Sequence, residues 1–265
     1  MPIHIEPAAK FTDSSAASFQ NVMAIGTLSW SSQTPDGFAA NALGPQTYDA
    51  WVPASMPATL SVLLNSAHEC DCAAIIAHTI GSSGATLYVE SSLDGTTWVQ
   101  QSMLTPDNDD DIVILFADSG GEKYPRWRIR MTGSTPPAIG IAWIGKRLIF
   151  PFGVQASHTP ISHSLDVQLS TSQSITGQYI GSYIERKGGG ANIVLAPQER
   201  AWVQSDAVPF IEHYNDGNPF IWMSCPALIP EDGHYAWRSG PTLASSFGPG
   251  SMWVDMSMQV NAYVA

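Results

Sequence analysis

Charge is scarce in this chain: only 13% of its 265 residues are Asp, Glu, Lys or Arg. The balance is also one-sided, with 11 Lys and Arg against 23 Asp and Glu, a net charge of −12. A phosphate backbone calls for a basic stripe, and the one short basic cluster, Arg126, Arg128 and Arg130, has the period-2 spacing of a single strand face. Nucleic acid is therefore not an expected partner, and nothing basic invites an anionic membrane surface. No apolar run approaches the ~20 residues that span a bilayer, so no membrane insertion is expected. The opening "MPIHIEPAAKFTDSSAASF" has no basic segment followed by an apolar one, so no signal peptide is expected and synthesis in a cytoplasm is. Cysteine is limited to three residues. Cys70 and Cys72 in "HECDCAAIIAH" would share one strand face, where an i,i+2 bridge is strained, so reduced thiols are expected. A zinc site adding His68 and His78 lacks a second Cys pair, and no cofactor is expected.

Motifs of catalysis are missing as well. There is no HExxH, no GxSxG elbow and no GxxxxGK[ST] loop in the sequence, which points to a non-enzymatic protein. "KGGGAN" and "GPGS" are Gly-rich without a strand-to-helix context and read as flexible loops. In "PDNDDDI", Asp107, Asp109, Asp110 and Asp111 share one loop. Either they remain solvated or they hold Ca²⁺ in a site without the Gly and distant Glu of an EF-hand. Paired carboxylates for glycoside hydrolysis are a spatial matter that sequence leaves open.

What the chain does contain is strands. Gly 22, Pro 19 and 10% aromatics suit many short strands joined by tight turns. From Leu60 onward "TLSVLLN", "CAAIIAHTI", "TLYVESS", "TWVQQSML", "DIVILFA", "RWRIRMT" and "AIGIAWIGKRLIF" follow one another between turn residues, after one earlier strand in "NVMAIGTLSW". That cadence predicts an all-β fold beginning with a β-sandwich or jelly roll. In "YPRWRIRMTG", Trp127, Ile129 and Met131 belong to a core face and the three arginines to the opposite one. Phe150-Pro151-Phe152-Gly153 closes this part, placing a boundary at residue 152. Residues 153–265 are expected to form a second β-rich domain with one short helical segment, "APQERAWVQSDAVPFIEHYN", which Pro209 must break or restart. "NPFIWMS" and "SMWVDMSMQVNAYV" are its strands. Trp202, Phe210, Phe220, Trp222, Trp237 and Trp253 are expected in its core, some of them as subunit anchors.

Two resemblances add to this reading. "NALGPQTYDAWVPA", "ESSLDGTTW" and "PRWRIRMTG" resemble the galactose-binding-like jelly roll of discoidin and carbohydrate-binding modules, over residues 20–150. Ser92, Asp94, Gly95 and Trp98, then Arg126, Trp127, Arg128 and Ile129, carry that likeness. "GQYIGSYIERKGGGANIVL", "AWVQSDAVPFIEHYNDGNPFIWM" and "PEDGHYAW" resemble tail proteins of long-tailed bacteriophages. The matching places are Gly181, Ile184, Arg186, Trp202, Pro209, Phe210, Pro219, Phe220, Trp222, Pro230, Tyr235 and Trp237, while Ser182 stands where that family often has Arg.

The second resemblance implies a structural virion component of the distal tail or tail tip, assembled in a host cytoplasm. Its partners would be other tail proteins and copies of itself, closed into a ring through residues 153–265. A carbohydrate-binding module for a host-surface glycan is the alternative, with Tyr48, Asp49, Trp51 and Trp98 at the loop end of the jelly roll. Against it stands the simpler expectation that Trp98 fills the core and Asp94-Gly95 only supplies a turn.

Overall fold

The computed structural model of the chain describes residues 3–6, 14–116, 122–155, 158–243, 246–247 and 252–264. Among them, eleven strands precede residue 152: β1 (Ile3–Ile5), β2 (Ala16–Ser18), β3 (Thr27–Trp30), β4 (Ala58–His68), β5 (Cys72–His78), β6 (Thr86–Ser92), β7 (Val99–Leu104), β8 (Ile112–Leu115), β9 (Tyr124–Thr132), β10 (Ile139–Gly145) and β11 (Arg147–Ile149). Eight follow: β12 (Leu165–Gln173), β13 (Tyr179–Val194), β14 (Gln198–Glu199), β15 (Phe220–Met223), β16 (Gly233–Arg238), β17 (Ser246–Phe247), β18 (Trp253–Asp255) and β19 (Ser257–Ala262). The helices are short: α1 (Ile80–Ser83), α2 (Arg200–Trp202) and α3 (Val208–Asn215). The fold is all-β, as expected.

A five-stranded sheet, β3-β4-β9-β6-β7, faces a four-stranded sheet, β1-β8-β5-β10, to make the predicted β-sandwich. Sequence pattern explains which layer is which. In β9 the residues alternate, with Trp127, Ile129 and Met131 fully buried between the sheets and the arginines on the outer face. β5, β8 and β10 instead read as continuous apolar runs and are buried almost throughout, the signature of strands covered on both faces. Ala73, Ile75, Ile112, Ile114, Ala142 and Ile144 point into the sandwich core. Their neighbours Cys72, Ala74, Ile76, Val113, Leu115, Ile141 and Trp143 form a second core with Ile221, Met223 and Tyr235. The four-stranded sheet is thus a middle layer.

The layer beyond it is a seven-stranded sheet, β11-β2-β15-β16-β19-β13-β12. β2 and β11 lie before residue 152, so strands from both sides of the expected boundary share this sheet. Its far face packs a third core, including Phe150, Phe210, Phe220 and Trp222, beneath the helices and the small sheet β14-β18-β17. Each such fully buried aromatic contributes on the order of 2–3 kcal/mol.

Local departures from the sequence reading have physical causes. "NVMAIGTLSW" is not one strand: Asn21 caps a 3-10 turn at Val22–Ala24 before β3 begins. The Asn21 amide also donates to Ala142 O at 2.9 Å and accepts from Ile144 N at 3.2 Å, standing in for a strand at the edge of β10. Cys70 and Cys72 face different cores, because Cys70 precedes β5 and Asp71 between them turns to Arg147. Neither is in a disulfide, and burial pushes both thiols up, Cys72 to about 12. "KGGGAN" is no loop. Gly188 to Gly190 lie inside β13, where Gly189 pairs with both Leu165 and Ala262, and a Cβ there would sit 2.7 Å from Ile161 Cγ2. "GPGS" lies outside the described residues. The helix does restart at Pro209: a π-helical turn at Val203–Ala207 joins α2 to α3, making room for the proline ring.

Candidate functional site

The hairpin "LYVESSLDGTTWVQQ" is a structural turn. Asp94 Oδ1 accepts from Thr96 N and Thr97 N, both at 2.8 Å, and Gly95 takes φ +82° where Arg126 lies too close for a Cβ. Hydrogen bonds from Thr96 and Thr97 hold the Asp94 carboxyl well below its ordinary range. Trp98 is half-buried on the outer face of the sandwich, with the Arg128 guanidinium 3.9 Å above its ring. Arg128 Nε reaches Glu90 Oε2 at 2.5 Å and Arg130 Nη2 reaches Oε1 at 2.9 Å, while Arg130 lies 3.8 Å over Tyr88. Burial raises the Glu90 pKa, but the two arginines more than offset it and the net shift is downward. The Trp98 face is therefore taken by a cation.

Trp51 presents no ring to solvent. It is fully buried in the first core, its indole N–H donates to Ser32 O at 3.0 Å, and its backbone pairs both ways with Ile139. An indole enclosed in this way cannot serve as a stacking platform. Tyr48 is 82% exposed and Asp49 is exposed beside it. Tyr48 borders a cleft of about 310 Å³ together with Gln46, Thr47, Pro219, Tyr235 and Trp237. Tyr235 donates to Pro45 O at 3.1 Å, which ties the cleft's loop to β16. So the structure brings together Tyr48, Pro219 and Trp237, and separates them from Trp51 and Trp98.

Of the residues that carry the tail-protein resemblance, Phe210, Phe220, Trp222 and Tyr235 are interior, while Ile184, Pro209 and Pro230 are exposed. Phe210, Phe220 and Trp222 are fully buried, Trp202 packs edge-on against Phe150 at 5.7 Å, and Pro209 opens α3. Gly181 and Arg186 lie in β13, the Arg186 side chain being outside the described atoms. Trp253 does not join the core: only Val254 of β18 points inward, leaving Trp253 39% exposed.

Residues 179–187 of β13 pair with β12 alone, since β19 covers only Gly189 to Val194. At ~3.3 Å per residue, this two-stranded arm extends about 25 Å beyond the sheet. Leu169 and Ile184 are register partners on one face, and Tyr183 stands opposite Ser170 on the other. Tyr183 and Ile184 are 62% and 58% exposed, and Ile175, Tyr179 and Ile180 are more so. Residues 167–184 include no Asp, Glu, Lys, Arg or Pro. The sequence reading missed the arm; its signal was that uncharged, β-prone run.

The nearest approach to a catalytic constellation is interior. Ser224 Oγ lies 3.0 Å from His158 Nε2, and His234 Nε2 lies 3.1 Å from Asp232 Oδ1. Ser224 and Asp232 are fully buried, the Trp222 indole donates to Ser224, and His158 Nδ1 makes no hydrogen bond. Among the described residues no acid hydrogen-bonds to that imidazole, so the group works as a polar tie between β15, β16 and the segment before β12. In the "PDNDDDI" loop, Asp109 Oδ1 accepts from Ser82 N at 2.8 Å and Asp111 Oδ1 from Ala77 N at 2.6 Å. Among the described residues no three His, Cys, Asp or Glu side chains converge as a metal site, and no helix is long and apolar enough to cross a membrane.

No protein-family model matches the chain, and no curated protein does. Solved structures with a likeness include the module CBM32-1 from a family 31 glycoside hydrolase of Clostridium perfringens, at 14% identity and TM-score 0.41, covering 48% of this chain and 99% of that one. Another is chitosan-binding module 1 from a chitosanase/glucanase of Paenibacillus sp. IK-5, at 17% identity and TM-score 0.40, covering 47% and 98%. A pectin-binding module scores 0.37 at 14% identity. Likeness this faint assigns no ligand to this chain, and function rests on its own geometry.

Proposed function

We propose that this chain is a non-catalytic assembly subunit that docks its β12–β13 arm on a neighbouring copy of itself, and that the assembly is a ring in a bacteriophage tail. The exposed arm carries the reading. A lone two-stranded ribbon is marginal in water, and one with free edges invites pairing unless charge or proline guards it. Residues 167–184 have neither. The tail setting rests on the resemblance carried by Trp202, Pro209, Phe210, Phe220 and Trp222. The charge of −12 keeps unassembled copies soluble, while the uncharged outer part of the arm, residues 167–184, meets a second copy without like-charge repulsion. Light scattering tests the reading: the full chain forms a defined oligomer, and Leu169→Lys with Ile184→Lys gives a monomer with an unchanged melting temperature. An oligomer that survives both lysines refutes it.

A second reading, glycan recognition, is favoured by the exposed Tyr48 ring beside Trp237, with Gln46 and Thr47 to hydrogen-bond hydroxyls. Screening against purified glycans is expected to show binding that Tyr48→Ala abolishes without loss of fold. No glycan retained by the wild type removes this reading.

A further inference from the structure

The small sheet β14-β18-β17 carries a surface that nothing above has used. Glu199 and Trp253 are register partners, so the carboxylate stands beside the indole on one face. Phe152 packs edge-on against Trp253 at 5.5 Å, Met252 is exposed, and Arg200 N–H donates to Met252 O at 2.9 Å. Glu199, Arg200, Gln204, Met252 and Trp253 line a cleft of about 380 Å³. Trp and Arg lead the residues that carry binding energy where proteins meet, and Phe and Met are enriched there.

Building on the assembly reading, we infer that this shelf is the acceptor for the arm of the next copy. Three observations select that occupant. First, β13 runs from the arm, at Tyr179, to Val194, and the chain reaches Glu199 five residues later. The arm lies at the N-terminal end of β13 and the shelf follows its C-terminal end, with about 26 Å of strand between Arg186 and Val194 at ~3.3 Å per residue, so the arm points away from its own shelf. Such a pair is satisfied between copies, either reciprocally in a two-fold dimer or head to tail, the arrangement that closes rings. Second, the chemistry matches. The arm offers Leu169, Ile184 and Tyr179 to Phe152, Met252 and Trp253, and its Tyr, Ser, Thr and Gln side chains to Glu199, Arg200 and Gln204. Its outer residues, 167–184, bring no charge into a cleft that already holds one acid and one base, while Glu185, Arg186 and Lys187 stand nearer its base. Third, the arm is large enough to be one side of an interface: a stable one uses about 20–30 residues a side, and residues 167–184 supply eighteen.

Complementation between two full-length variants tests this. Variant one carries Leu169→Lys and Ile184→Lys; variant two carries Trp253→Ala and Met252→Glu. Both should keep the wild-type melting temperature, and each alone should associate at least tenfold more weakly than wild type by light scattering. Mixed, they should form a one-to-one dimer and no larger species, because only one intact arm meets one intact shelf. If variant two assembles like wild type, the shelf is not the acceptor while the arm reading stands. If variant one assembles like wild type, the arm reading itself falls. A wild-type chain that stays monomeric at every concentration overturns both.

Discussion

The eighteen residues of β5, β8 and β10 and the eighteen of 167–184 have one thing in common: neither set contains an Asp, Glu, Lys or Arg. Their surroundings are opposite. The first set is the middle layer, covered on one side by the five-stranded sheet and on the other by the seven-stranded one. The second stands in solvent on both faces. Lack of charge in the middle layer is explained by its own chain, because a buried unpaired charge is costly. In the arm the same lack has no explanation within one molecule. The contrast separates strands that their own chain covers from a strand that it leaves bare, which is the surface the proposed assembly would cover.

The sharpest way to break that comparison is to place the same charge in both. Ile76→Asp faces the core between the middle layer and the seven-stranded sheet and is expected to cost on the order of 5 kcal/mol, comparable to the stability of a whole domain. Soluble expression and a cooperative thermal transition should both be lost. Ile184→Asp is expected to change monomer stability by no more than about 0.5 kcal/mol while weakening self-association. Equal loss of folding in the two variants would mean that the arm is integral to the monomer.

How much of this was legible in sequence follows the same division. Alternation in "RWRIRMT" placed Trp127, Ile129 and Met131 correctly, because one buried face leaves a period-2 trace. The continuous runs "CAAIIAH" and "IGIAWIG" named strands, yet the second core they imply was not drawn from them. Trp51 and Trp253 were misplaced for a related reason: an aromatic residue's type does not disclose whether its face meets core or solvent, and only the register that puts Val254 inward settles the latter. The Tyr48–Trp237 cleft joins residues almost two hundred positions apart, which no local pattern carries. "VQLSTSQSITGQ" carries no strand signal as strong as those of the sandwich, because its Ser, Thr and Gln suit a loop as well as a strand and only the lack of charge sets it apart.

A smaller effect sharpens the middle-layer side. Asp111 precedes β8 and is 2% exposed; burial raises its pKa from 3.8 to about 7, against the opposing hydrogen bond from Ala77 N. Between those two values the folded state holds a proton that the unfolded state has released. Stability through this group therefore falls as pH rises from about 4 to 7, by at most about 4 kcal/mol. Burial also lowers the pKa of His158 and His213, which works the other way, since those groups lose stability as pH falls. Comparing wild type with Asp111→Asn at pH 4.5 and 7.5 isolates the carboxyl. The variant should gain stability at pH 7.5 and little at pH 4.5, since its amide oxygen can still accept from Ala77. An identical pH profile in the two proteins would show that this carboxyl titrates normally.

The outer face of the five-stranded sheet supplies the control, because it is exposed as the arm is but carries its own charges. There Glu90 bridges Arg128 and Arg130, and the two guanidinium groups cover Trp98 and Tyr88. Removing one partner from such a half-exposed set costs about 1 kcal/mol. Arg128→Ala should therefore lower the melting temperature slightly, red-shift the Trp98 emission as its face meets water, and leave the oligomer intact. Loss of assembly on this substitution would mean that a face already satisfied by its own ion pairs also docks, and the line between self-covered and partner-covered strands would have to be redrawn.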